Sequence, residues 1–352
     1  MNRVLFPGAM GPDGFFSCFD TLLENPRRRL ILKGGPGVGK STFMHRIHAA
    51  LCPGGEASTL YFCSGDPDSL DAVAVPHAGL VIMDGTAPHQ MDPKIPGARD
   101  SIINLGVCLD EDALRPRLPQ IQSCMADRAA CIRRARACLT AAAIFTRDNA
   151  AIAAEAADDA HLARLTRALM QAVLNGQEAP SCVPSVRPVI TDAVTSKGEV
   201  SLIADNAQKR VIRVLAHWSA DCTPILRQVS TAVQAAGYSV EEHIYPAVPG
   251  KLLHLTIPEL STLVTTCDLL PAEQTFDFSA CIPHEALLRR EHALEQGRSA
   301  VRLHLHQAIG ALSQAKQLHD ELESFYVPNM DFSRWQKILD ETLSALAPEL
   351  PQ

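Results

Sequence analysis

No stretch of about 18 apolar residues occurs anywhere in the 352-residue chain, so a membrane-spanning helix is not expected. Positive charge is not in excess either. There are 32 Lys and Arg against 39 Asp and Glu, for a net charge of −7 and a pI near 6.0. That balance argues against a broad nucleic-acid surface, and nucleic acid is not an expected partner. Cys-x-x-Cys and His-Glu-x-x-His spacings are both missing, although eleven cysteines and thirteen histidines are present. Metal centres that rely on those spacings are therefore excluded. The opening residues Met1 to Gly8 have no long apolar core and no cleavage site, so a cytoplasmic chain with reduced thiols is expected. Cys124, Cys131 and Cys138 recur every seven residues. They read as a packed helix face of small apolar side chains or as a metal or redox stripe.

Aromatic residues make up only 5%, but hydrophobic residues reach 47% and charged residues 20%, the profile of an ordinary globular protein. At this length two domains are expected.

The most informative segment is Gly34-Gly35-Pro36-Gly37-Val38-Gly39-Lys40-Ser41-Thr42, which satisfies Gly-x4-Gly-Lys-[Ser/Thr] in full. The apolar run Leu30-Ile31-Leu32 before it reads as a strand, and Phe43 to Leu51 after it reads as a helix. In that setting successive backbone N–H groups point into one concavity and bind phosphate oxygens, aided by the helix N-terminus. Gly35, Pro36, Gly37, Val38 and Gly39 would wrap the phosphates, with Thr42 next to them. Lys40 would reach the β- and γ-phosphates, and the Ser41 hydroxyl would hold Mg²⁺. ATP and Mg²⁺ are the expected ligands.

Gly79-Leu80-Val81-Ile82-Met83-Asp84-Gly85 is an apolar strand ending in an aspartate. In a parallel sheet strands are buried on both faces, and ligands bind at their carboxyl ends. Asp84 is thus expected to hold Mg²⁺, as a Walker B aspartate does. Gly85 stands where hydrolytic ATPases often carry a glutamate, so a water-orienting group must come from elsewhere. Asp66 and Asp68, in Ser64-Gly65-Asp66-Pro67-Asp68-Ser69, and His89, in Thr86-Ala87-Pro88-His89, are the candidates. The aspartates also read as turn and N-cap chemistry. Arg128, Arg133, Arg134, Arg136 and Arg147 read as a lid over phosphates or as a solvated helix face.

Self-comparison shows the chain written twice. Arg29-Leu30-Ile31 aligns with Arg210-Val211-Ile212, which places Thr42 on Thr223 and Asp221 at the position of Lys40. Pro67 then meets Pro249, Pro76 meets Pro258, Leu80-Val81-Ile82 meets Thr262-Leu263-Val264, and Gly14 to Ser17 meets Gly198 to Ser201. The expected architecture is α/β: a P-loop NTPase-type parallel sheet flanked by helices, duplicated, each half carrying a helical appendage. Residues 1–180 form the first unit, with a core at 10–110 and a helical segment at 111–178. Residues 186–352 form the second, with a core at 186–283 and a helical segment at 284–346. Glu178 to Ser185 is the linker. The second unit replaces the glycine-rich loop by Leu215-Ala216-His217-Trp218-Ser219-Ala220-Asp221-Cys222, and is expected to bind no nucleotide.

Over residues 10 to 110 the sequence resembles a bacterial family of P-loop ATPases built from two tandem nucleotide-binding-like halves. The resembling segments are residues 34–42, Cys63 to Asp71, Asp84 to His89, Asp92 to Asp100 and Ile103 to Gly106. The resemblance implies ATP binding and a duplicated fold, and it supports Asp66, Asp68 and His89 as site residues. In that family the second half can keep its own phosphate loop, from which this chain departs. The expected function is a Mg²⁺-dependent ATPase with one site in the first half. A phosphotransferase using Asp66 or Asp68 as base, and a nucleotide-gated switch with little turnover, are the alternatives. A protein or small-molecule partner for the second half is left open.

Overall fold

The computed structural model describes residues 3–22, 26–174, 176 and 183–347. Most of the expected linker, residues 178–182, lies outside them. The first half runs β1 (Arg3–Leu5), β2 (Gly8–Gly11), β3 (Gly14–Ser17), β4 (Arg28–Lys33), α1 (Lys40–Leu51), β5 (Thr59–Phe62), β6 (Leu70–Val75), β7 (Leu80–Asp84), β8 (Asp100–Asn104), α2 (Glu111–Leu114), α3 (Leu118–Glu155) and α4 (Asp159–Leu174). The second half repeats this order: β9 (Val186–Val189), β10 (Asp192–Thr195), β11 (Gly198–Ser201), β12 (Arg210–Leu215), α5 (Thr223–Ala235), β13 (Val240–Ile244), β14 (Leu252–Ile257), β15 (Thr262–Thr265), β16 (Gln274–Asp277), α6 (His284–Leu288), α7 (Glu291–Tyr326) and α8 (Phe332–Leu346).

Each half builds one six-stranded sheet, in the order β1-β5-β6-β7-β4-β8 and its counterpart β9-β13-β14-β15-β12-β16. The duplication reaches the register. Arg28 pairs with Leu80 as Arg210 pairs with Thr262, both shifted by 182 residues. Even the irregularity between Tyr61 and Phe62 recurs between His243 and Ile244.

Two expectations are corrected here. The sheets are mixed rather than parallel, because β6 runs antiparallel to both β5 and β7, and β14 to both β13 and β15. β4 still lies parallel to β7 and β8, so the glycine-rich segment and Asp84 leave the sheet at the same end. The alignment around the lost loop also shifts by one residue. Ser41 accepts from the Leu70 amide at 3.0 Å, and Thr223 accepts from the Leu252 amide at 3.0 Å. Thr223 is therefore the counterpart of Ser41, Cys222 of Lys40, and Asp221 of Gly39.

Alternation along the strands sends side chains to both sheet faces. Leu30, Leu32, Val73, Val75, Leu80 and Ile82 pack beneath Phe43, Met44 and Ile47 of α1. Ile31, Ala72, Ala74, Val81 and Met83 form the opposite face with Phe19 and Leu22. In the second half Ile212 and Val264 face α5, whereas Val211 and Leu263 face the other way. All four are buried, as expected for two neighbouring strands.

The helical appendages cross over. α3 and α7 form a long antiparallel pair: Cys124 contacts Leu318, Cys131 contacts Gln314 and Cys138 contacts Gln307. The cysteine stripe is thus the packed face of α3. Beyond the pair each chain segment lands on the other half. Leu169 and Val173 of α4 join the core of the second sheet. Trp335, Leu339 and Leu346 of α8 join the core of the first. Short backbone links pin both crossings, Asp158 N to Cys281 O at 2.7 Å and Asp331 N to Cys108 O at 2.8 Å.

A buried charge cluster also ties the halves. Glu241 of β13 accepts from Arg3 of β1 at 2.6 and 2.9 Å, and from Arg187 of β9. Its side chain is 2% exposed. Burial by itself raises the Glu241 pKa, but hydrogen bonds and charge from Arg3 and Arg187 outweigh it and hold the carboxyl at about 2. A folded value below the ordinary value of about 4.3 means that the stabilisation is present above pH 4.3 and lost as pH falls toward 2. Acid unfolding followed by circular dichroism is expected to show this loss. Glu241→Gln should flatten that part of the profile while lowering stability at pH 7. An unchanged profile would show that the cluster contributes nothing.

Candidate functional site

The glycine-rich segment 34–42 joins the end of β4 to the start of α1. Its conformation depends on glycine at Gly37 (φ 70°) and Gly39 (φ 76°), in the left-handed region that side chains disfavour. Lys40 opens α1 and turns back over the loop. Its Nζ donates to Gly35 O at 2.9 Å and Gly34 O at 3.3 Å, and lies 3.6 Å from Asp84 Oδ2. Asp84, at the end of β7, is fixed by the Thr86 amide at 2.8 Å and the Thr86 hydroxyl at 2.6 Å, both donating to Oδ1. Lys40 and Asp84 thus come together, and Ser41, next to Lys40 at the start of α1, accepts from the Leu70 amide at 3.0 Å. The Asn104–Gly106 turn borders this loop, with the Asn104 side chain accepting from Gly106 N at 2.9 Å.

The other candidates divide. Asp66 accepts from the Ser69 hydroxyl at 3.0 Å and sits 3.4 Å from Lys316 Nζ, which also bonds Asp320. Asp68 is exposed and pairs with Lys197 of the second half. His89 is buried, stacked on Phe19 at 4.5 Å and edge-on to Phe15 at 4.8 Å, with Nε2 3.2 Å from Asp71. Those contacts place His89 on the face of the sheet that packs against Phe19. Arg136 and Arg147 do not cover the loop either, since they reach Pro12 O and Pro249 O.

The group that does cover the loop comes from the second half and was invisible to motif reading. A Cβ at Gly35 would meet Tyr326, and one at Gly37 would meet Val327 and Glu323. A Cβ at Gly39 would meet the Trp335 indole, whose Nε1 donates to Val38 O at 3.1 Å. Glu323 thus lies against the loop, and Lys316, His319 and Asp320 share its face of α7. Burial, then the charges of Arg128 and Lys316, drive the His319 imidazole down to about 4. Burial also pushes the Glu323 carboxyl above its ordinary value. The only sequence signal was the i, i+3, i+4, i+7 spacing of these four residues, which any solvated helix face shares.

The second half keeps the hydroxyl contact at Thr223 but lacks the glycines and the lysine of this loop. No residue between Ala216 and Cys222 has positive φ, and Asp221 Oδ1 instead accepts from the Thr223 amide at 2.9 Å at the N-terminus of α5. A carboxylate so stands where the first loop would hold an anion. Among the described residues no helix is long and apolar enough to cross a membrane, and no group of three or more His, Cys, Asp or Glu forms a metal cluster. No protein-family model, curated protein or solved structure matches the chain.

Proposed function

We propose that the first half binds a nucleoside triphosphate with Mg²⁺ and hydrolyses it, and that the second half contributes the cover of that site. The observation that carries this is Lys40. Its ammonium is held at the mouth of a loop with two left-handed glycines, 3.6 Å from the carboxylate that ends the neighbouring parallel strand. Its partners there are two carbonyls, which a phosphate would replace at little cost because charge-assisted bonds are the stronger. The Ser41 hydroxyl and the Asp84 carboxylate are the oxygen donors available for Mg²⁺, and they suit a hard cation that keeps several waters. When bound, that ion would neutralise charge developing on the β- and γ-phosphates. The backbone amides of Gly37 to Lys40 and the N-terminus of α1 would orient the phosphates. Loop closure by Tyr326, Val327 and Trp335 would exclude water from their outer side. The resemblance to tandem P-loop ATPases supports the same reading.

Two observations favour a second reading, a nucleotide-gated switch. Gly85 follows Asp84, so no glutamate follows that aspartate in the chain, and Lys316 ties Asp66 to α7. A phosphate-release assay, run with and without a panel of small hydroxyl compounds, separates the readings. Release without acceptor supports hydrolysis. Acceptor-dependent ADP formation supports a phosphotransferase using Asp66, and tight binding with neither supports the switch.

Asp84→Asn is expected to leave ATP affinity within a few-fold of wild type and to remove Mg²⁺-dependent turnover, since an amide keeps the shape and loses the charge. Turnover at the wild-type rate would reduce Asp84 to a strand end. Equilibrium titration of the whole chain with a fluorescent ATP analogue is expected to give one site per chain. A stoichiometry near two, with one site surviving Lys40→Ala, would overturn the assignment of a single nucleotide site.

A further inference from the structure

A cavity of about 280 Å³ lies away from the glycine-rich loop. It lies where the Trp218–Asp221 loop of the second half faces the α3–α7 pair, with α3 of the first half forming one wall. Its existence follows from two departures in the duplicated plan. The glycine-rich loop is gone, and the Ala216–Cys222 segment that joins β12 to α5 has no residue at positive φ. The helix face above it is also trimmed. The two helical appendages superpose with a shift of 173 residues, as the caps Asp158 to His161 and Asp331 to Arg334 show. Under that shift His319 becomes Thr146 and Glu323 becomes Ala150, and both of these smaller residues line the cavity.

The wall has a definite charge. Arg147, Lys251, Arg298 and Arg302 line it against only Glu199 and Asp221, in a chain whose net charge is −7. Each carboxylate accepts a hydrogen bond from a neutral donor, and four cations face the two of them. Glu199 accepts from the Tyr245 hydroxyl at 2.8 Å, and Asp221 accepts from Thr223 N at 2.9 Å. Arg298 lies over the Trp218 ring at 4.9 Å and reaches Glu295 at 3.4 Å. Arg147, Lys251 and Arg302 have no ion-pair partner among the described residues. Arg147 is oriented by its bond to Pro249 O at 3.0 Å. Three unpaired cations around one recess attract a multiply charged anion, and the walls focus that field. Arginine adds the planar fork that pairs with phosphate in two bonds. Trp218, Val301 and Leu305 add an apolar part of the wall, beside the polar Thr146, Asn149 and Ser219. Its volume is at the small end of ligand pockets, which run from about 300 to 1,000 Å³.

We propose that this cavity binds a small phosphate monoester, with the phosphate between Arg147, Lys251 and Arg302 and the carbon skeleton against Trp218 and Leu305. A phosphate monoester carries roughly −1.5 to −2 charges at neutral pH, which matches this wall. A nucleoside triphosphate is not the ligand, because Asp221 fills the anion position at α5. The site stands independently of any nucleotide bound in the first half.

Calorimetric titration of the whole chain with glycerol 3-phosphate tests this, with malate as a dicarboxylate of similar size. Saturable binding of glycerol 3-phosphate at one site is expected, weaker for malate. Arg302→Ala and Arg147→Ala, both at exposed side chains, should each weaken it about tenfold or more, the loss of a charge-assisted bond. Trp218 emission should change on saturation, and Lys40→Ala should leave the affinity unchanged. No saturable binding, or binding indifferent to both arginine variants, would overturn the site. Tighter binding of malate would overturn the phosphate class. Because neither arginine approaches residues 34–42, ATP affinity in the same variants reports separately on the first half.

Discussion

Lys40→Ala is expected to weaken ATP binding by about two orders of magnitude and to abolish turnover, with the fold retained. A hydrogen bond from a charged donor contributes roughly 1.5 to 3 kcal/mol, and Lys40 offers several donors to one polyphosphate. The fold should survive because Lys40 is not part of the apolar core. Its partners are the carbonyls of Gly34 and Gly35 and the Asp84 carboxylate, which water can reach once the side chain is removed. Calorimetry for ATP affinity and thermal unfolding for stability check the two halves of this statement. Unchanged affinity would remove the central claim of the nucleotide-site reading. A large fall in stability would instead make Lys40 a structural pin.

The loop, its strand and its helix were legible because local chemistry specifies them. Gly37 and Gly39 are needed at positive φ, and Phe43, Met44, Ile47 and Leu51 form one helix stripe. Asp84 was legible because the continuous run Leu80 to Met83 can only be a strand buried on both faces. The direction of β6 was not legible. Leu70 to Val75 is fully buried, and such a run reads the same whether its neighbours are parallel or antiparallel. The one-residue error at Asp221 had a similar source, since a loop that has lost its glycines leaves no fixed point for alignment. The structure supplies that point in the hydroxyls of Ser41 and Thr223.

His89 shows the limit from the other side. Its place next to Asp84 in sequence suggested catalysis, but one turn of chain carries it to Phe19 and Asp71. The crossing of α4 and α8 was the least accessible feature. Periodicity tells which helix face is buried, and it carries no information about which sheet buries it.

Trp335→Ala is the sharpest test of that crossing. Trp335 belongs to the second half by sequence and to the first by packing. It is 7% exposed, edge-on to Phe43 at 5.6 Å, and its Nε1 donates to Val38 O at 3.1 Å. Truncation should cost about 3 to 5 kcal/mol, from lost transfer energy and the cavity left behind. Trp335→Phe keeps much of the packing and loses the bond to Val38, so it should cost about 1 kcal/mol while loosening the loop and weakening ATP binding. Leu169→Ala in α4 is the mirror experiment on the second core, at a side chain with no exposure, and about 2 to 5 kcal/mol is expected. Because each core is closed by a helix from the other half, both substitutions should shift one common denaturant transition. Two separate transitions, with Trp335→Ala moving one and Leu169→Ala the other, would show that the halves fold independently despite the exchange. A common transition would also mean that residues 186–352 alone lack the α4 side chains that complete their core, so the binding properties of the second half have to be measured in the whole chain.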